Sequence, residues 1–131
     1  MQSHLADILK KIMIKMTEIK LTHYNAKGKA ETSRLILALA GQKYEDKRIE
    51  PSGMAALKPS LPFGQLPLLE YKGESLSQSM AIAKFLAREF GLAGSNALEA
   101  AKMDEIVDAI NDLQNNLVRK SSSSKNQFIQ S

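Results

Sequence analysis

Apolar residues recur at helical spacing in four stretches of the chain and at every second position in one. Leu5, Ile8, Leu9, Ile12, Met13 and Met16 follow the first pattern, so residues 3 to 15 are predicted to form a short amphipathic helix. From Glu18 to Tyr24 the residues alternate, with Ile19, Leu21 and His23 on one face and Lys20, Thr22 and Tyr24 on the other, the period of a strand. Ala30 to Ala40 reads as a helix whose second half is apolar all round and which Gly41 ends; such a helix is expected to be covered on both sides. Residues 43 to 49 make a weaker strand, and Pro51-Ser52-Gly53 begins an irregular stretch running through Lys58 to Leu61. A hairpin follows, and then a helix with Ile82, Phe85, Leu86 and Phe90 as its buried stripe, closed by Gly91 with Gly94. The sum is a compact α/β layer of four strands. A further helix from about Asn96 to Arg119 aligns Met103, Ile106, Val107, Ile110, Leu113 and Leu117. Ser121 to Ser131 is polar and of low complexity, and is expected to be disordered.

The run Leu61 to Ser79, LPFGQLPLLEYKGESLSQS, carries the most chemistry. Pro67 stands at the mouth of the apolar run Leu66 to Leu69, where a residue without an N–H is tolerated only at a strand's start or edge. Leu66 is left with free backbone hydrogen-bonding groups. Lys72-Gly73 forms a two-residue turn, and the strand returns through Ser75 and Leu76. Gln78 and Ser79 then open a helix whose unpaired N–H groups suit a carboxylate or phosphate. An extended, peptide-like ligand with an acidic end fits this edge.

Composition narrows the field. The chain has 131 residues, enough for one domain, and 44% of them are apolar. Zero cysteine excludes disulfides, thiolate metal sites and dithiol redox chemistry, and suits a reducing compartment; with only His4 and His23, no metal site is expected. The longest apolar run, Leu35 to Ala40, is far short of the roughly 20 residues a membrane span requires, so no span is expected. The formal charge of +4 lies at the ends: residues 1 to 16 carry +2 and residues 117 to 131 carry +3, which leaves −1 for the body. Without a basic face on the domain itself, no nucleic-acid partner is expected. The basic segment at residues 1 to 16 suits a surface anchor or targeting role, or is an extension ahead of an alternative start at Met16; lacking arginine and containing Asp7, it is unlike a transit peptide.

The strings KLTHYNAKGKAE (20 to 31), RLILALAGQKYEDKRI (34 to 49), LKPSLPFGQLPLLE (57 to 70) and QSMAIAKFLAREFGLAG (78 to 94) together resemble the N-terminal half of a sigma-class glutathione S-transferase. The resemblance covers residues 17 to about 118. It implies a thioredoxin-like four-stranded sheet with flanking helices at 17–94, followed at 95–119 by the first helix of a truncated all-α domain, with 1–16 an N-terminal extension and 120–131 a disordered tail. It also implies a cytoplasmic enzyme, a homodimer or a heterodimer with a related subunit, with glutathione as co-substrate. The activity would be conjugation of its thiol to small electrophiles in detoxification, or isomerisation of prostaglandin precursors.

Carried over by position, the resemblance implies that Leu66 pairs its backbone with the cysteinyl unit beside a cis Pro67, and that Gln78 and Ser79 hold the glutamyl carboxylate. Lys58 and Gln65 would reach the glycyl end, and Asp112 would approach the glutamyl amine of glutathione in the partner subunit. Read from the residues alone, each has a plainer role: Pro67 shapes a turn, Ser79 caps a helix, Lys58 and Gln65 are solvated, and Asp112 shares a solvated face with Asp104, Asp108 and Asn111.

The chain departs from the family's pattern at the sulfur. His23 stands where the family has its catalytic tyrosine, with Tyr24 following it. A neutral imidazole N–H can donate to a thiolate as a phenol does, but from a shorter side chain. Three readings stay open: a working donor at His23, a spectator His23 in the core, and rescue by Tyr24 through a local bulge, which an unchanged strand forbids. Lys29 replaces an arginine, and Met54 stands where a tryptophan lines the glycyl end. The alternatives to an enzyme are a truncated, non-catalytic glutathione-binding or dimer-modulating module and a structural lens-type relative.

Overall fold

The structure, a computed structural model, describes the backbone of residues 2–16 and 18–130 and the side chains of residues 3–10, 12 and 18–120. Helix α1 (Gln2–Met16) leads into β1 (Ile19–Tyr24), and α2 (Glu31–Leu39) crosses to β2 (Glu45–Ile49). A connector of two 3-10 turns, Pro51–Gly53 and Lys58–Ser60, flanks the short α3 (Met54–Leu57). The hairpin of β3 (Leu68–Tyr71) and β4 (Glu74–Ser77) comes next, then α4 (Ser79–Glu89) and α5 (Ala97–Gln130).

The strands form one mixed sheet in the order β2-β1-β3-β4. β1 is central, parallel to β2 and antiparallel to β3. This is the thioredoxin-like sheet with flanking helices. Its register follows from the alternation: Leu21 faces Leu69 across the β1–β3 pair, and both are fully buried with Leu37 of α2 and Ile82 and Leu86 of α4. Thr22, on the opposite face of β1, is buried as well, because the 51–61 connector covers that face with Leu57 and Leu61. The hairpin turns at Lys72 and Gly73 with φ of 48° and 84°, the two positive values that a type I′ turn demands.

Three expectations need correcting. Helix α2 is covered on one side only: Ile36 and Leu37 face the core, while Leu35 and Leu39 are exposed because nothing among the described residues lies over them. The tail predicted to be disordered has a helical backbone as far as Gln130, since no Gly or Pro from Ser121 onward interrupts α5. Asp104 and Asp108 are not merely solvated: Arg88 Nη2 bonds Asp104 at 2.9 Å, and Lys84 Nζ lies 3.0 Å from Asp108 Oδ1 as an ion pair without hydrogen-bond alignment. These contacts dock α5 on α4, and Val107 completes the joint by entering the core. Met13 and Met16, placed on the apolar stripe of α1 by sequence, lie outside the side chains described.

Candidate functional site

The C-terminal end of β1, the loop that follows it, α3 and the segment before β3 enclose a cleft of about 480 Å³. His23, Tyr24, Ala26, Gly28 and Lys29 form one wall, and Met54, Gly64, Gln65 and Leu66 the other. The sequence expectation that Tyr24 faces away from His23 fails here. β1 ends at Tyr24 and the chain turns at once, Ala26 N–H donating to Tyr24 O at 2.9 Å, so both rings border one cleft, edge to face at 5.3 Å.

His23 is buried, and its Nδ1 has no hydrogen-bond partner among the described residues. Burial, then the positive charges of Arg34 and Lys29, lower its pKa from 6.5 to about 4, against a smaller opposing pull from Asp46. At neutral pH the ring is therefore uncharged, with one N–H to donate and one nitrogen to accept. Its position depends on Gly28: a Cβ there would stand 3.0 Å from His23 Nε2.

Sequence reasoning missed the groups that hold this loop. Arg34 of α2 is buried to 5% exposure and clamps four partners, Nε donating to Asp46 Oδ1 at 3.1 Å, Nη1 to Ala26 O at 2.9 Å and Glu31 Oε2 at 3.4 Å, and Nη2 to Tyr24 O at 3.3 Å. Its signal was a lone charge interrupting an apolar helix face. Gln114 of α5 donates Nε2 to Gly28 O at 3.1 Å, tying a helix 86 residues away to the cleft wall. No spacing in the sequence announces that bond.

On the other wall, the Leu66–Pro67 peptide is cis, and no backbone hydrogen bond among the described residues engages Leu66. Its N–H and C=O are available to an extended ligand. Pro67 is buried behind it, outside the cleft lining. Lys58 is exposed and also outside that lining; its aliphatic chain runs beside Gly64. Gln65 accepts from Gln78 Nε2 at 3.4 Å, which links two predicted contacts. Gln78, not Ser79, is the N-cap of α4, and it makes no side-chain cap bond. It holds φ 76°, a left-handed conformation that costs a non-glycine residue about 1–3 kcal/mol. Ser79 begins α4 and lines a narrow crevice with Lys29, Thr32, Asn111 and Gln114. Asp112 is exposed on α5 and borders neither cavity. An extended backbone edge, the Lys29 cation and an uncharged imidazole at the cleft, with the start of α4 on a crevice that Lys29 also lines, suit a short acidic peptide.

The family model for the glutathione S-transferase N-terminal domain matches residues 19–88, more than half of the chain. The chain belongs to the glutathione S-transferase family. It is 50% identical over 97 residues to hematopoietic prostaglandin D synthase of Gallus gallus, covering 74% of this chain and 49% of that protein. Identity is also 50% over 97 residues to glutathione S-transferase 1 of Ascaris suum, covering 74% and 47%. Among solved structures, a Nu-class glutathione S-transferase from Haemonchus contortus aligns with a TM-score of 0.69 and 48% identity, covering 74% of this chain and 48% of that one. Monomeric Na-GST-3 from Necator americanus aligns with a TM-score of 0.70 and 45% identity, covering 76% and 48%. The chain thus spans about half the length of the curated relatives it matches.

Proposed function

We propose that this glutathione S-transferase chain binds glutathione in the cleft and presents its thiol to small electrophiles, as a cytoplasmic transferase of sigma type. The observation that carries this reading is that one cavity is lined both by the unengaged Leu66 backbone and by an uncharged His23 imidazole whose Nδ1 has no partner among the described residues. Leu66 takes the cysteinyl unit as an added strand would, through its N–H and C=O. Gln78 and Ser79 at the start of α4 receive the glutamyl carboxylate, while Lys58, Gln65 and Met54 meet the glycyl end. Lys29 adds positive charge beside the sulfur, and Asp112 is kept for the glutamyl amine of a partner subunit.

Chemistry follows from the thiol's environment. A free thiol with a pKa of about 8.5 is mostly protonated at neutral pH, and an N–H donor favours its anion. The thiol proton leaves to solvent. The sulfur lone pair forms a C–S bond to the electrophilic carbon, and the leaving group departs with the electron pair of the broken bond; an isomerisation would return the sulfur instead. The likeness to a prostaglandin D synthase supports the second outcome for prostaglandin precursors. A homodimer, or a heterodimer with a related subunit, is supported by the exposed Ile106, Leu113 and Leu117 on α5.

A second reading is a glutathione-binding module without turnover. The short, uncharged His23 at the sulfur favours it. Retention on immobilised glutathione together with conjugation of an aryl halide supports the transferase. Retention without conjugation leaves only the module, and no retention removes both. Substituting His23→Tyr restores a donor of longer reach and is expected to raise turnover.

A further inference from the structure

Helix α1 lies ahead of the family match, which starts at residue 19. Leu5, Ile8, Leu9 and Ile12 are exposed at 59%, 41%, 51% and 49%, and their steps of three and four place them on one side of the helix. Asp7 and Lys10 fall on the other side. A 15-residue helix is marginal in water without packing, and every described side chain of α1 is exposed, so this face calls for a partner. Charge selects the partner's kind. The segment carries Lys10, Lys11 and Lys15 against Asp7, whereas residues 17 to 116 are slightly acidic.

A second copy suits the face poorly. Four aliphatic side chains fall far short of the ~800 Å² per partner that a stable interface buries, and pairing two such helices brings like charges together. A basic helix with an aliphatic stripe matches an anionic bilayer surface, where the stripe enters the boundary between headgroups and acyl chains and lysines meet lipid phosphates. Among the described residues no helix is long and apolar enough to cross a membrane, so contact is lateral. We propose that α1 docks this protein on the surface of anionic membranes, with Leu5, Ile8, Leu9 and Ile12 as the inserted face. The docking is independent of the chemistry in the cleft.

The full chain is tested by cosedimentation with phosphatidylserine-containing vesicles and with pure phosphatidylcholine vesicles. Partition into the first and not the second is expected, weakening in high salt. Lys10→Gln is expected to lower it roughly fivefold, and Ile8→Glu with Ile12→Glu to abolish it while the thermal melt of the domain stays unchanged. Equal partition into both vesicle types, no partition into either, or full retention by the double variant overturns the proposal. So does sedimentation equilibrium showing that the double variant splits a dimer, since the face then belongs to a second copy.

Discussion

Leu66 and His23 border the same cleft, yet they turn different kinds of group towards it. Leu66 offers backbone groups, left unengaged because Pro67 follows and pairing begins only at Leu68. Almost any side chain at position 66 preserves that edge. His23 offers a side chain, and what it can do depends on its neighbours: Gly28 at its ring, Arg34 under the loop, Gln114 behind Gly28. In the proposed function, binding is therefore written into the path of the chain and tolerates substitution, whereas activation of the bound group rests on one side chain and its supports. This chain differs from the transferase pattern at the second kind of position.

The largest effect is expected at the supports. Arg34→Ala removes a buried guanidinium from Asp46 and from two carbonyls of the cleft wall, and should cost about 3–5 kcal/mol in urea denaturation. A loss near zero would mean the loop holds itself.

Acid is next. The folded pKa of His23, about 4, lies below its ordinary 6.5, so the unfolded chain binds more protons between these values. This contribution to stability is complete above pH 6.5 and is lost as pH falls towards 4, at most by about 3 kcal/mol. In His23→Phe, denaturation measured across that window should lose this component, while the leucine-backed glutathione affinity changes less.

Gly28→Ala drives a methyl group against the imidazole and should cost about 1–2 kcal/mol. Adding His23→Ala should recover most of it, because the two sites are coupled. Additive losses would show that the close approach is not what Gly28 serves.

The smallest effect sharpens the binding side. Gln78→Gly relieves the φ of 76° and should stabilise the chain by up to about 1 kcal/mol, while weakening glutathione binding through loss of the Gln65 contact. Calorimetry with glutathione and a thermal melt separate the two.

The sheet was legible because its period is clean: Ile19 and Leu21 alternate with lysine and threonine, and Lys72-Gly73 can scarcely be anything but a hairpin turn. The unengaged backbone at Leu66 was legible for the same local reason, a proline at the mouth of a strand. What escaped were consequences of the third dimension. Tyr24 turned towards the cleft because β1 ends there, a boundary that alternation does not mark. Arg34 and Gln114 act across 8 to 86 residues of sequence, a range no local pattern encodes. Leu35 and Leu39 showed the reverse limit, since hydrophobicity announces a surface that wants covering without saying what covers it.

Ultraviolet absorbance of the thiolate, titrated against pH with glutathione bound to the full chain, tests the central claim that the edge holds the tripeptide while His23 addresses its sulfur. The bound thiol should ionise below its ordinary value of about 8.5 and return towards it in His23→Ala, with affinity changed little. A bound thiol that ionises at its ordinary value in the unmodified chain, or one whose shift survives His23→Ala, contradicts it.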